Sequence, residues 1–182
     1  MKTHRAYFQR VAQVLAAVGI AFALLAAAPV AQGFRTIAEP RFQAIPLAQP
    51  AEGDVVARLS VPRLSLEAPI YEGIGSPTLA RGAGHIPGTA LPGEEGGKNH
   101  SVLALPRDSA AAAVAELRLG EIVTMRTPFG VRTYRVTERR VLSPEALNIA
   151  PTQSPQVTLV TPYPTDSLGP APLRLALVLE KN

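Results

Sequence analysis

Arg174 opens the apolar run Leu173–Leu179, and a second apolar run, Val157–Thr161, precedes it across a loop holding Pro162, Pro164, Gly169, Pro170 and Pro172. Two strand-like runs joined this way set the residue at the end of the first opposite a cation at the start of the second. A guanidinium there can donate to backbone carbonyls of an extended ligand, while strand-end residues offer main-chain pairing. A nucleophile to go with it is hard to find. The chain has no cysteine, which excludes thiol catalysis, disulfides and thiolate metal sites together. Thr161 is the nearest hydroxyl, but strand alternation aims it at the face opposite residue 162. Thr165 and Ser167 lie in the loop with no base placed beside them. Glu94 and Glu95, adjacent in a glycine-rich segment, read as solvated side chains rather than an acid/base pair. His85 sits in the same segment, and an imidazole bonded to a loop carbonyl is the simplest account of it.

The elements that must position these residues begin at Val55. In VVARLSVPRLSLEAPIYEG the apolar residues Val56, Leu59, Val61, Leu64, Leu66 and Ile70 alternate with polar ones, which predicts two short strands linked near Pro62. Arg81–Gly97 has six glycines and two prolines outside any period, and reads as a long surface loop with several positive-φ positions. Ser101–Leu105 is a strand. The stretch SAAAAVAELRLG is the one clear helix, capped by Asp108 or Ser109, ended at Gly120, and turning Val114, Leu117 and Leu119 to the core. EIVTMRT and VRTYRVTERRVL form a hairpin across Pro128-Phe129-Gly130, with Val123, Met125, Tyr134 and Val136 inward. Arg132, Arg135, Arg139 and Arg140 do not share one face and read as a solvated, partly salt-bridged edge. The turn-rich SPEALNIAPTQSP leads back to the opening segment. Short strands, one helix and many Gly/Pro turns make a mainly β fold, a barrel or sandwich.

The net charge of +4 is local. Residues 1–41 carry Lys2, Arg5, Arg10, Arg35 and Arg41 against Glu39, leaving 13 basic and 13 acidic residues in the remainder, so nucleic-acid binding has no support. The basic residues flank an apolar run, Val11–Ala31, whose helical length of about 32 Å matches a bilayer's hydrocarbon core. It is longer than the apolar core of a cleavable signal peptide, and Pro29 follows the best small-residue site, so an uncleaved anchor is favoured. The expected organisation is a cytoplasmic basic terminus (1–10), a single-pass transmembrane helix (11–31), a linker (32–54) rich in Ala, Pro, Gln and Gly, and a domain (55–182). With basic residues kept inside, the domain stands outside the cytoplasmic membrane, in the extracytoplasmic or periplasmic space.

Residues 55–179 also resemble sortases, the cysteine transpeptidases. Their catalytic corner reads Thr-Leu-Val-Thr-Cys-Tyr-Pro, then Ile-Gly-Pro-Ala-Pro and an arginine; here Thr158–Thr161, Tyr163, Pro164, Gly169–Pro172 and Arg174 match, and Pro162 stands at the cysteine position. The run Gly84-His85-Ile86-Pro87-Gly88-Thr89-Ala90-Leu91-Pro92-Gly93 is shared too, and looks most like class D sortases or their relatives in two-membrane envelopes. The family's base follows in Ala-Gly-His-Arg-Asp, where this chain reads Ala104-Leu105-Pro106-Arg107-Asp108, so proline occupies the histidine position as well. His100, six residues upstream and about 20 Å along an extended strand, cannot replace it.

The resemblance implies a closed sortase β-barrel and, of the three catalytic parts, only Arg174. The expected function is that of a membrane-anchored pseudo-sortase binding a sorting-signal-like peptide of the Leu-Pro-any-Thr-Gly type, or an envelope partner, with Arg174, Thr161, Tyr163 and His85 as peptide-binding candidates. The alternatives are an accessory subunit of an active sortase system and an active, cysteine-independent peptidase or transpeptidase. No cofactor and no metal are expected.

Overall fold

Two-faced strands dominate the chain because apolar and polar residues alternate along them. In the computed structural model, which describes residues 49–107, 110–165 and 169–182, these are β1 (Val55–Val61), β2 (Leu66–Glu72), β3 (Ala83–His85), β4 (His100–Ala104), β5 (Ile122–Thr127), β6 (Gly130–Leu142), β7 (Gln156–Tyr163) and β8 (Leu173–Lys181). They close into an eight-stranded barrel in the order β1-β2-β3-β4-β7-β8-β6-β5, with β5 returning to β1. Two neighbour pairs, β2/β3 and β4/β7, are parallel and the others antiparallel. The interior holds Leu59, Ile70, Leu103, Met125, Tyr134, Leu159 and Leu177. The expected anchor, 11–31, lies outside the described residues; among those described, no helix is long and apolar enough to cross a membrane.

The link near Pro62 is a 3₁₀ turn, Pro62–Leu64, closed by Ser65 in the left-handed region at φ 49°. The β5/β6 hairpin forms as expected, and Val123, Met125, Tyr134 and Val136 are buried. Several expectations are corrected. The helix expected in the alanine-rich stretch forms, but as a short 3₁₀ helix, Ala110–Glu116, that ends earlier than expected. Seven residues are too few to sustain an α-helix alone. Its last carbonyls are taken by side chains from elsewhere: Arg139 Nη1 donates to Ala115 O (2.7 Å) and Leu117 O (3.2 Å), and Arg63 Nη2 to Glu116 O (3.1 Å). Val114 and Leu117 reach the core, but the helix stops before Leu119, which is 64% exposed. The caps assigned to Asp108 and Ser109 lie outside the described residues. A second short helix, Ser76–Leu79, carries the β2/β3 crossover.

The glycine-rich segment is not all loop. Its first part is β3, where Gly84 is required by close approach: a Cβ there would collide with Gly73 O. Gly88, Gly93 and Gly96 do have positive φ. The arginines of β6 behave as expected: Arg132 has a strand partner only in β5, Arg139 and Arg140 only in β8, and Arg132 and Arg140 are ion-paired with Glu95 and Glu138. Glu95 is not merely solvated, since it accepts from Lys181 Nζ (2.7 Å) and pairs with Arg132 (3.3 Å).

Candidate functional site

Strands β4, β7 and β8 lie side by side, in the register Ala104↔Val160 and Val160↔Ala176. Leu103, Leu159 and Leu177 belong to the core, so by alternation Ala104, Val160 and Ala176 stand on the outer face. Two residues further along, Pro162 pairs with Arg174. On the other side the chain stays beside β7 past the end of β4, held by Leu105 N donating to Val160 O (2.8 Å); extending the register Ala104↔Val160 by two residues sets Pro106 next to Pro162. Pro106, Pro162 and Arg174 therefore form one outward row across three adjacent segments about 4.8 Å apart. Ala104, Val160 and Ala176 form an apolar row beneath it.

Position 162 is in strand, not in the loop where the sequence put it. β8 supplies a partner as far as Tyr163↔Leu173, so the ladder continues. β4 ends at Ala104, so this end of β7 is a local edge, where a residue with no N–H is tolerated.

Arg174 is half-buried. Its Nη1 donates to Ala171 O (2.9 Å) and Leu173 O (2.8 Å), which holds the guanidinium against its own loop. Among the described residues, Nε and Nη2 make no hydrogen bond. Arg107, after Pro106, donates through Nη2 to Gly169 O and ties the end of β4 to the β7/β8 loop. The β6/β7 connection, residues 143–155, contributes Glu145. Its carboxyl is held below its ordinary range by its own backbone N–H and the Ser143 hydroxyl, with the Arg174 charge a smaller attraction. Further along, this connection is pinned by His100, whose Nδ1 faces Ala150 O (2.8 Å) while Nε2 faces the Thr158 hydroxyl (2.9 Å). His100 is thus buried at the far end of β4 with both nitrogens engaged.

The remaining candidates do not join the row. Thr161 points into the barrel, as alternation requires, and is 1% exposed; its Oγ1 has no partner among the described residues. Tyr163, on the same face, packs against the core. Ser167 lies outside the described residues.

His85 is a buried strand residue, which corrects its placement in a loop. The register Glu72↔His85 aligns the two side chains, and Nδ1 lies 2.7 Å from Glu72 Oε2. Nε2 faces both Ala90 O and Thr89 Oγ1 at 2.9 Å. Carboxylate, imidazole and hydroxyl in a line have the order of a catalytic relay. The Ala90 carbonyl, however, asks for an N–H at Nε2 rather than the lone pair a base needs, and Thr89 Oγ1 donates to Ile86 O (2.8 Å). The cluster is a clamp that fastens the glycine-rich loop to the barrel. Sequence reading missed Glu72 and Thr89. Thr89 stands four residues after His85 and could have been noticed, whereas Glu72 is brought in only by the β2/β3 register.

No group of three or more His, Asp and Glu that could hold a metal gathers among the described residues. Residues 59–181 match the sortase domain family model. The chain belongs to the sortase family. Sortase D of Bacillus subtilis (strain 168) is 28% identical over 128 residues, covering 69% of this chain and 63% of that protein, so this sortase spans under two thirds of that relative's length. Among solved structures, sortase C from Clostridium perfringens SM101 superposes with a TM-score of 0.63 at 29% identity, covering 73% of this chain and 72% of the other. The Clostridium perfringens sortase C solved with the C-terminal cell wall sorting motif gives 0.63 at 29%, covering 72% of each. Sortase A from Corynebacterium diphtheriae gives 0.65 at 27%, covering 72% and 62%. Against that background, the want of any thiol in 182 residues marks this sortase as degenerate.

Proposed function

We propose that this is a pseudo-sortase: a sortase barrel without the Cys/His transpeptidase machinery, whose outer face beside Arg174 binds an extended sorting-signal-like peptide without cutting it. The row Pro106, Pro162, Arg174 carries this reading. It sets two residues with no ionisable group at the positions the resemblance assigns to base and nucleophile, and keeps the cation beside them. Thr161 is turned inward and is no replacement nucleophile, and the nitrogens of His85 and His100 are occupied elsewhere. The neighbouring sortase C structure with a sorting motif supports a peptide of that class as the ligand. With residues 11–31 as a membrane anchor and 32–54 as a tether, the barrel from 55 onward works outside the cytoplasmic membrane.

The test is titration of a fluorescent Leu-Pro-Ala-Thr-Gly peptide into the full chain in detergent. Arg174→Ala should weaken binding by about 1.5–3 kcal/mol, roughly 10- to 150-fold, the range for a hydrogen bond to a charged group. Undetectable binding to the wild-type chain, or equal binding to both, would remove the peptide-reader role.

A further inference from the structure

The guanidinium of Arg174 has two edges, and the structure uses one. Nη1 is fixed by the Ala171 and Leu173 carbonyls, at 2.9 and 2.8 Å. Nε and Nη2, the pair that presents two parallel N–H groups in one plane, make no hydrogen bond among the described residues. A single carbonyl fills half of such a fork; a carboxylate fills both halves and cancels the charge. The surroundings favour the anion. Arg174 is half-buried, its outer-face neighbours Pro162 and Pro106 bring no N–H that would compete for the ligand's oxygens, and Val160 and Ala176 beneath are apolar and buried. Ion pairing strengthens where water is partly excluded. Among the described residues, the Glu145 carboxyl feels the Arg174 charge but forms no ion pair with it.

We infer that the ligand of this outer face is a peptide with a free C-terminal carboxylate, seated on the Nε/Nη2 edge of Arg174 with its last side chain over Pro162 and Pro106. The inference rests on the peptide-binding reading above and names its preferred ligand: a sorting-signal peptide already cut, held more tightly than an intact one. A site with no nucleophile leaves such an end unaltered, so binding is an equilibrium and not a step toward product.

The experiment compares three peptides carrying the same N-terminal fluorophore, Leu-Pro-Ala-Thr with a free carboxylate, the same tetrapeptide amide, and the uncut Leu-Pro-Ala-Thr-Gly-Gly capped as its C-terminal amide, against the full chain in detergent. The free acid should bind roughly 10-fold or more tighter than the amide, the difference should vanish in Arg174→Ala, and Arg174→Lys should recover less than half of it because an ammonium lacks the fork. Glu145→Gln should tighten the acid and leave the amide unchanged. Equal affinity for acid and amide overturns the carboxylate assignment while leaving peptide binding standing. Tighter binding of the uncut peptide overturns it in favour of an internal-segment reader, and no binding of any of the three overturns both readings.

Discussion

Pro162 on β7 and Arg174 on β8 are cross-strand partners, and both side chains stand on the outer face of the barrel, with Pro106 on the far side of Pro162. Prolines thus occupy the two positions that the resemblance to sortases assigns to base and nucleophile, with an arginine beside them. Restoring base and nucleophile should restore chemistry. The double substitution Pro106→His and Pro162→Cys is expected to cleave a quenched sorting-signal peptide at least about 100-fold faster than either single substitution, since base and nucleophile act as a unit. Activity should be lost on treatment with a thiol reagent. A double variant that folds like the wild type and remains inert would mean that 106 and 162 are not the family's catalytic positions.

His85 and Glu72 form a buried pair at 2.7 Å, with side chains 3% and 12% exposed. Removing the imidazole leaves the carboxylate without its partner and frees the Ala90 carbonyl. His85→Ala should therefore cost about 3 kcal/mol in denaturant unfolding. Peptide affinity at Arg174, measured below the unfolding transition, should not change. A loss of affinity with unchanged stability would reverse the assignment and put His85 in the binding site.

Three surface carboxyls sit below the ordinary value of 4.5. Glu95 is lowered first by the hydrogen bond from Lys181, Glu121 by that from Arg63 and then by the Arg118 backbone N–H, and Glu145 by its own backbone N–H and Ser143. Because the folded values lie under the unfolded ones, their stabilisation is fully present above about pH 4.5 and is lost as pH falls through the lowered values. Melting temperature should thus drop on acidification below 4.5, and Glu121→Gln and Glu95→Gln should each flatten that drop. Identical pH profiles for wild type and both variants would show that these bonds carry no folding energy.

The anchor assigned to residues 11–31 makes a separate prediction. A reporter enzyme active only outside the cytoplasm, fused after Asn182, should be active and should stay with the membrane fraction after an alkaline wash. Recovery of a shortened, soluble fusion would identify the segment as a cleaved signal.

Much of the barrel was legible in the chain because its information is local. Period-two alternation marks Val55–Val61, Leu66–Glu72 and the β5/β6 hairpin, and a turn needs only a few residues of Gly or Pro to declare itself. The missing cysteine is a matter of composition, and the inward aim of Thr161 follows from its being one residue from 162. The boundaries were less legible. Position 162 was read as loop because proline is a local stop signal, while β8 offers a ladder partner that the sequence of β7 alone does not announce. The alanine run announces its helix through propensity but not where it ends, since Arg63 and Arg139, distant in sequence, take the carbonyls there.

By itself, then, the sequence determined that this chain is a mainly β sortase relative with no thiolate and a cation left opposite the end of β7. Tertiary structure alone decided who meets whom. Glu72 reaches His85 through a parallel register, Ala104 and Leu105 come beside Val160 across another, and one edge of Arg174 is consumed by its own loop while the other makes no hydrogen bond among the described residues. Local patterns fix which face a residue takes, but cross-strand partners depend on register, and register is set only when the whole barrel closes and every strand's apolar face must find the interior at once.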